Sequence, residues 1–160
     1  MNKITIEIKW GVIFTVISLL WMFFEKAMGW HDLYIDKHAI YTNFFGIIAV
    51  LVYFLALRDK KRSFYNGEMT WRQGFVAGLI VTIVVTVLAP LSQFITSTYI
   101  TPDYFNNVIA YSVENNVMNQ EQAEAYFNLK SYIIQATFGA LVLGVVSSAA
   151  IAWFLKTKKE

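Results

Sequence analysis

With 160 residues, the chain has room for one compact unit and little for a second domain. Apolar residues make up 57 % of it and charged residues only 15 %, against roughly 45–50 % and about 25 % in ordinary soluble domains, which argues against a water-soluble fold. The absence of cysteine excludes disulfides and thiolate chemistry, and the net charge of +2 conceals an asymmetry that bears on orientation.

The charge deficit is concentrated. No Asp, Glu, Lys or Arg occurs between Trp10 and Phe24, Ile40 and Leu57, Phe75 and Leu91, or Tyr132 and Phe154. A bilayer core about 30 Å thick needs about 20 apolar residues as helix, and none of these runs has the charged face of a soluble amphipathic helix. The fold class expected is all-α: one integral membrane four-helix bundle with spans at about 8–28, 40–57, 72–99 and 131–154.

The first run is bulky, with Trp10, Trp21, Phe23 and Phe24. Such rings suit a permanent anchor better than a cleaved signal, although Ala27-Met28-Gly29 has the small-residue look of a cleavage site. Residues 25–39 are expected to form a loop, with Gly29 ending the helix and Trp30 and Tyr34 at headgroup level. Glu25 beside Lys26 suggests a helix end among headgroups. His31, Asp32, Asp36 and His38 bring two imidazoles and two carboxylates close together, but their spacing matches no recognised zinc pattern. The expectation is a solvated polar loop, with no metal and no cofactor. In the second span, Asn43 carries an amide that needs partners near mid-membrane.

A basic loop follows. Arg58, Lys60, Lys61, Arg62 and Arg72 are expected to hold one side of the membrane and to attract anionic lipid headgroups, at about 1 kcal/mol each. Nucleic acid is not an expected partner, because the patch is short and held against the membrane. Asn66-Gly67 is a turn signal, and Thr70 with Gln73 three residues on forms a capping-box pattern that starts the third span. That span places Gly74, Gly78, Thr82 and Thr86 on one stripe, followed by Pro90. The carbonyl that Pro90 frees is expected to be met by Thr86, Ser92 or Gln93. The fourth span has a matching ridge of Ala140, Gly144 and Ser148. Small residues let helices approach closely in lipid, so the two ridges should pack together or against a second copy of the chain.

Between spans three and four, residues 102–130 are expected to form an extracytoplasmic helical hairpin. Thr101 is placed to cap its first helix ahead of Pro102 and Asp103, and Asn119 with Gln122 to start its second, which then continues unbroken into the fourth span. Four spans put both termini and the basic loop on one side. That side collects Lys3, Lys9, Arg58, Lys60, Lys61, Arg62, Arg72, Lys156, Lys158 and Lys159, ten of the thirteen basic residues. The positive-inside rule makes it cytoplasmic, in a bacterial inner membrane.

The basic loop with Asn66-Gly67, then Thr70-Trp71, Gly74-Phe75 and Gly78, resembles the entry into the central helix of a known family. The Pro102-Asp103-Tyr104 helix start, the Gln120 to Glu124 segment and the lysine-rich tail are similar too. That family is the bacterial domain of unknown function 4199, small membrane proteins found mostly in Bacteroidetes-type bacteria. The resemblance implies a four-span fold over nearly the whole chain and no catalytic residue. No nucleophile elbow, Gly-rich phosphate loop or zinc-protease motif is present. The function expected is therefore non-enzymatic: an assembly, scaffold or accessory subunit acting through helix packing and the hairpin, with a homo-oligomer or a membrane protein as partner. The alternative is a small transporter or channel subunit lined by Asn43, Thr82, Thr86 and Gln135. A third reading is a membrane-modifying enzyme using Glu25, His31 or His38.

Overall fold

The computed structural model describes residues 4–157; Lys3, Lys158 and Lys159, used above for orientation, lie outside them. Among the described residues every regular element is helical: α1 (Thr5–Ala27), α2 (Ile35–Tyr41), α3 (Phe45–Ser63), α4 (Trp71–Ile95), α5 (Tyr104–Glu114), α6 (Gln120–Tyr126) and α7 (Leu129–Leu155). A short 3-10 turn, Thr42–Phe44, joins α2 to α3, and a π-turn, Thr96–Ile100, prolongs α4. Four segments are long and apolar enough to cross a membrane: Thr5–Ala27, Ile35–Ser63, Trp71–Ile100 and Leu129–Leu155. Val12, Val16 and Leu20 on α1, and Ile83, Val87 and Leu91 on α4, face outward and are exposed, as expected of helices solvated by lipid rather than water.

Helix α4 is the centre of the bundle. It packs most extensively on α7 and next on α1, while α3 touches all three. Tyr53, Ala56, Leu57, Val81, Val85, Ile151 and Ala152 form the core between them. The small-residue ridges of α4 and α7 meet inside one chain. A Cβ on Gly144 would come 2.6 Å from Thr82, one on Gly74 would come 3.1 Å from the Ala152 side chain, and Gly78 has Ser148 pressed against it. Gly11 of α1 lets Val84 approach in the same way, at 2.5 Å from where a Cβ would stand. Thr86, next on the stripe, keeps a buried hydroxyl without a hydrogen-bond partner. It therefore does not serve Pro90, and Gln93 turns its amide to Ser97 instead, at 3.0 Å. Helix α4 continues through Pro90 without interruption.

Several boundaries differ from expectation, each for a local reason. Residues 35–39 are helical rather than loop, and α3 runs on through Arg58, Lys60, Lys61 and Arg62. Cations in a last turn favour the helix dipole; the helix ends at Ser63, and Asn66 and Gly67 then turn the chain with positive φ of 52° and 91°. The capping boxes at Thr70 and Asn119 both form. At α5 the cap is displaced: the Thr101 hydroxyl donates back to the Thr96 carbonyl at 3.3 Å, closing the π-turn, and the helix starts at Tyr104. Helix α6 does not continue into the fourth span. Asn128 is extended, and its side chain accepts from the Ser131 N–H to cap α7 afresh.

Candidate functional site

The two ends of the bundle hold different kinds of polar centre. At the end away from the termini, the last turn of α1 carries Glu25. Gly29 adopts φ 72°, a conformation that L side chains rarely take. It lets the chain fold back so that the Trp30 N–H reaches the Glu25 carbonyl at 3.1 Å and the Tyr34 N–H reaches the Gly29 carbonyl at 2.8 Å. That turn swings His31 over the Glu25 side chain, and α2 brings His38 to the same point. His31 Nε2 lies 2.9 Å and His38 Nε2 3.3 Å from Glu25 Oε2. Trp21 Nε1 donates to the other carboxylate oxygen.

Elements distant in sequence close the cluster. Tyr104 of α5 sets its hydroxyl 3.2 Å from His38 Nδ1 and 3.2 Å from the Tyr132 hydroxyl of α7. Both imidazole rings pack on the Tyr104 ring, at 5.2 and 5.1 Å between centroids. Asn107 Nδ2 donates to the His31 carbonyl at 3.0 Å. Burial, reinforced by the neighbouring Tyr132, pushes the Tyr104 phenol far above its ordinary range, so it stays neutral. His31 Nδ1 is buried without a hydrogen-bond partner.

This arrangement overturns one expectation. His31 is 5 % exposed rather than a solvated loop residue, and Glu25, near the end of α1, is 0 % exposed. Asp32 and Asp36 do remain exposed and outside the cluster. The ligand-type atoms of Glu25, His31 and His38 all lie within 4.8 Å of one another. The spacing of these residues in sequence gives no hint of this, because the reversal at Gly29 determines it. Tyr104, the residue that fixes His38, had no signal at all.

Beside the cluster is a chamber of about 190 Å³, walled by His31, His38, Thr42, Thr96, Tyr104 and Tyr132 among others. A larger cavity of about 480 Å³ lies between all four spans, bounded by Phe14 and Ser18 of α1, Gly46 and Tyr53 of α3, Ala89 of α4 and Gly139 of α7, with others. Met22, Thr42, Gln93 and Thr96 border both spaces. Of the residues expected to line a pathway, Asn43 borders the larger cavity, and its amide is satisfied by the Ala39 carbonyl at 2.7 Å. Gln135 does not border it; it is exposed and accepts from the Tyr126 hydroxyl at 3.3 Å. Thr82 is held by the Gly78 carbonyl at 2.9 Å and the Tyr53 hydroxyl at 3.0 Å.

At the terminal end two carboxylates pair with lysines. Glu7 and Lys60 form an ion pair at 2.8 Å with side chains only 2 % and 4 % exposed, and the Lys60 ammonium lies 3.8 Å from the centre of the Phe64 ring. Lys9 pairs with Asp59 at 2.5 Å, and Trp10 Nε1 donates to the same carboxylate at 2.8 Å. Tyr65, in the loop after α3, has its phenol pushed up by burial and by the nearby Glu7. Lys61 donates to the last carbonyl of α7, at 2.8 Å from the Leu155 oxygen. Of the basic residues expected to meet lipid headgroups, Lys60 is thus withdrawn into the fold, whereas Arg58, Arg62 and Arg72 are exposed. The chain is strapped shut here by Met69 and Thr157, whose backbones bond at 2.8 Å.

A family model described as "Protein of unknown function (DUF4199)" matches residues 9–157, and the chain belongs to that family. Neither the curated proteins nor the solved structures gave a match.

Proposed function

We propose that this membrane protein binds a small solute or ion between its spans, as a small transporter or channel subunit, with the Glu25–His31–His38 cluster at the mouth of the binding space. One observation carries the reading: a cavity of about 480 Å³ bordered by all four spans adjoins a chamber walled by two buried or half-buried histidines. Ionisable groups within a membrane domain are expensive, and they face interior cavities that serve a pathway or ligand. The scaffold reading rested on helix packing and the outer segment. The small-residue ridges of α4 and α7 are engaged with each other inside the chain, which leaves the lipid-facing surface and the α5–α6 segment for a partner or second copy.

In the same proposal the basic end, with both termini, lies in the cytoplasm of a bacterial inner membrane, and the cluster lies outside. Arg58, Arg62 and Arg72 then meet anionic lipid on the inner leaflet. Because the chain has no cysteine, single cysteines report directly on water access. Ala89→Cys and Gly139→Cys, in the cavity, should react with a membrane-impermeant thiol reagent applied to the extracytoplasmic side. Ala77→Cys and Ala152→Cys, in the closed half, should not. Equal protection at all four positions would show a dry bundle and end the proposal.

A further inference from the structure

We infer that Glu25, His31 and His38 form a binding site for a divalent transition metal of the zinc class. The donors decide the class: two imidazole nitrogens and one carboxylate suit zinc and its neighbours, whereas calcium and magnesium require oxygen cages. Two of the three donor separations are close to those of such a site. Tetrahedral zinc with ligands about 2.0–2.2 Å away sets neighbouring donors about 3.3 Å apart; here Glu25 Oε2 stands 2.9 and 3.3 Å from the two Nε2 atoms.

The surroundings of His38 match the same requirement. A metal-binding imidazole usually donates its other ring N–H to an acceptor. His38 has the Tyr104 hydroxyl 3.2 Å from Nδ1, whereas His31 Nδ1 is buried without a hydrogen-bond partner. Glu25 has no exposure, and both imidazoles meet at its Oε2. The adjoining chamber borders both histidines and leaves room for a water or solute ligand in the remaining position. Thus the inference deepens the transport reading by naming the ion, but it stands on its own donor geometry.

The test uses the full-length protein in nanodiscs, stripped with a chelator and titrated with zinc against a chromophoric competitor. One equivalent should bind with a dissociation constant below micromolar, and calcium should not compete. His31→Gln and His38→Gln should each weaken binding at least a hundredfold. Tyr104→Phe should weaken it about tenfold, through His38. Cobalt in place of zinc should show the visible absorption of a four-coordinate site, lost in His38→Gln. Asp32→Asn and Asp36→Asn should bind as the parent does. His38 is partly exposed, so its variant reports even if Glu25 or His31 variants fail to fold. Absence of stoichiometric zinc in a folded parent, or equal affinity in the folded histidine variants, overturns the inference. Thiol labelling of the cavity is read separately, so a failed metal site and a failed transport reading leave different results.

Discussion

The two halves of this bundle are built by opposite rules. In the half that carries the termini, helices touch through glycine and serine, Lys60 is paired with a carboxylate over an aromatic ring, and the strap between Met69 and Thr157 closes the end. In the other half the spans stand apart around cavities of about 480 and 190 Å³, and the buried charge of Glu25 is met by imidazoles rather than by a lysine. Lysine serves here as an ion-pair donor, so the Glu7–Lys60 pair is a clasp. Histidine is also a common metal ligand. The first arrangement stabilises the fold, and the second leaves a place for something to bind.

If the contrast is right, the clasp is where a single change costs most. Glu7→Gln leaves the Lys60 ammonium buried beside an uncharged amide, and losing one member of a buried pair typically costs about 3–5 kcal/mol. A large drop in unfolding free energy, measured by denaturant titration in mixed micelles, is the expected result; an unchanged midpoint would mean that water already solvates the pair. Next in size is Gly78→Leu. Ser148 lies directly against Gly78, so α4 and α7 must separate, at a cost of about 1–3 kcal/mol or more. The same assay should show this loss in a monomeric chain, because the contact is internal. A variant that folds as well as the parent but loses self-association would restore the scaffold reading. Smaller still is Arg62→Gln. It should lower the preference for vesicles containing anionic lipid by about 1 kcal/mol and leave stability alone, which separates the exposed cations from Lys60.

How much of this could be read from the residues follows the range of each interaction. The spans, the capping boxes at Thr70 and Asn119 and the turn at Asn66-Gly67 depend on neighbours within a few residues, and all are visible in the sequence. The small ridges point to close packing but not to which surface they meet. The polar centres are less legible because partners are remote: Lys60 meets Glu7 from the other end of a hairpin, and His38 meets Tyr104 across 66 residues. A lysine in a basic run looks like a headgroup ligand until its carboxylate is located. A glutamate near a helix end looks solvated unless the chain beyond it folds back, and only Gly29 marks that reversal.

Gly139→Leu is the smallest expected change in stability, yet it bears most directly on the comparison. Gly139 and Gly78 are both glycines inside spanning helices, Gly78 on the small-residue stripe of α4 and Gly139 beside the ridge of α7. A Cβ at Gly139 would meet nothing within 4 Å, because it faces the larger cavity. Leucine there has space for its side chain and is a better helix former than glycine, by up to about 1 kcal/mol. The fold should therefore be unaffected or slightly firmer, in contrast to the loss at Gly78. Its side chain would occupy part of the space between the spans, so thiol labelling at Ala89→Cys should slow several-fold in the same background. A loss of stability like that of Gly78→Leu would mean that the helices already close on this position, and the hollow half would then be no more open than the closed one.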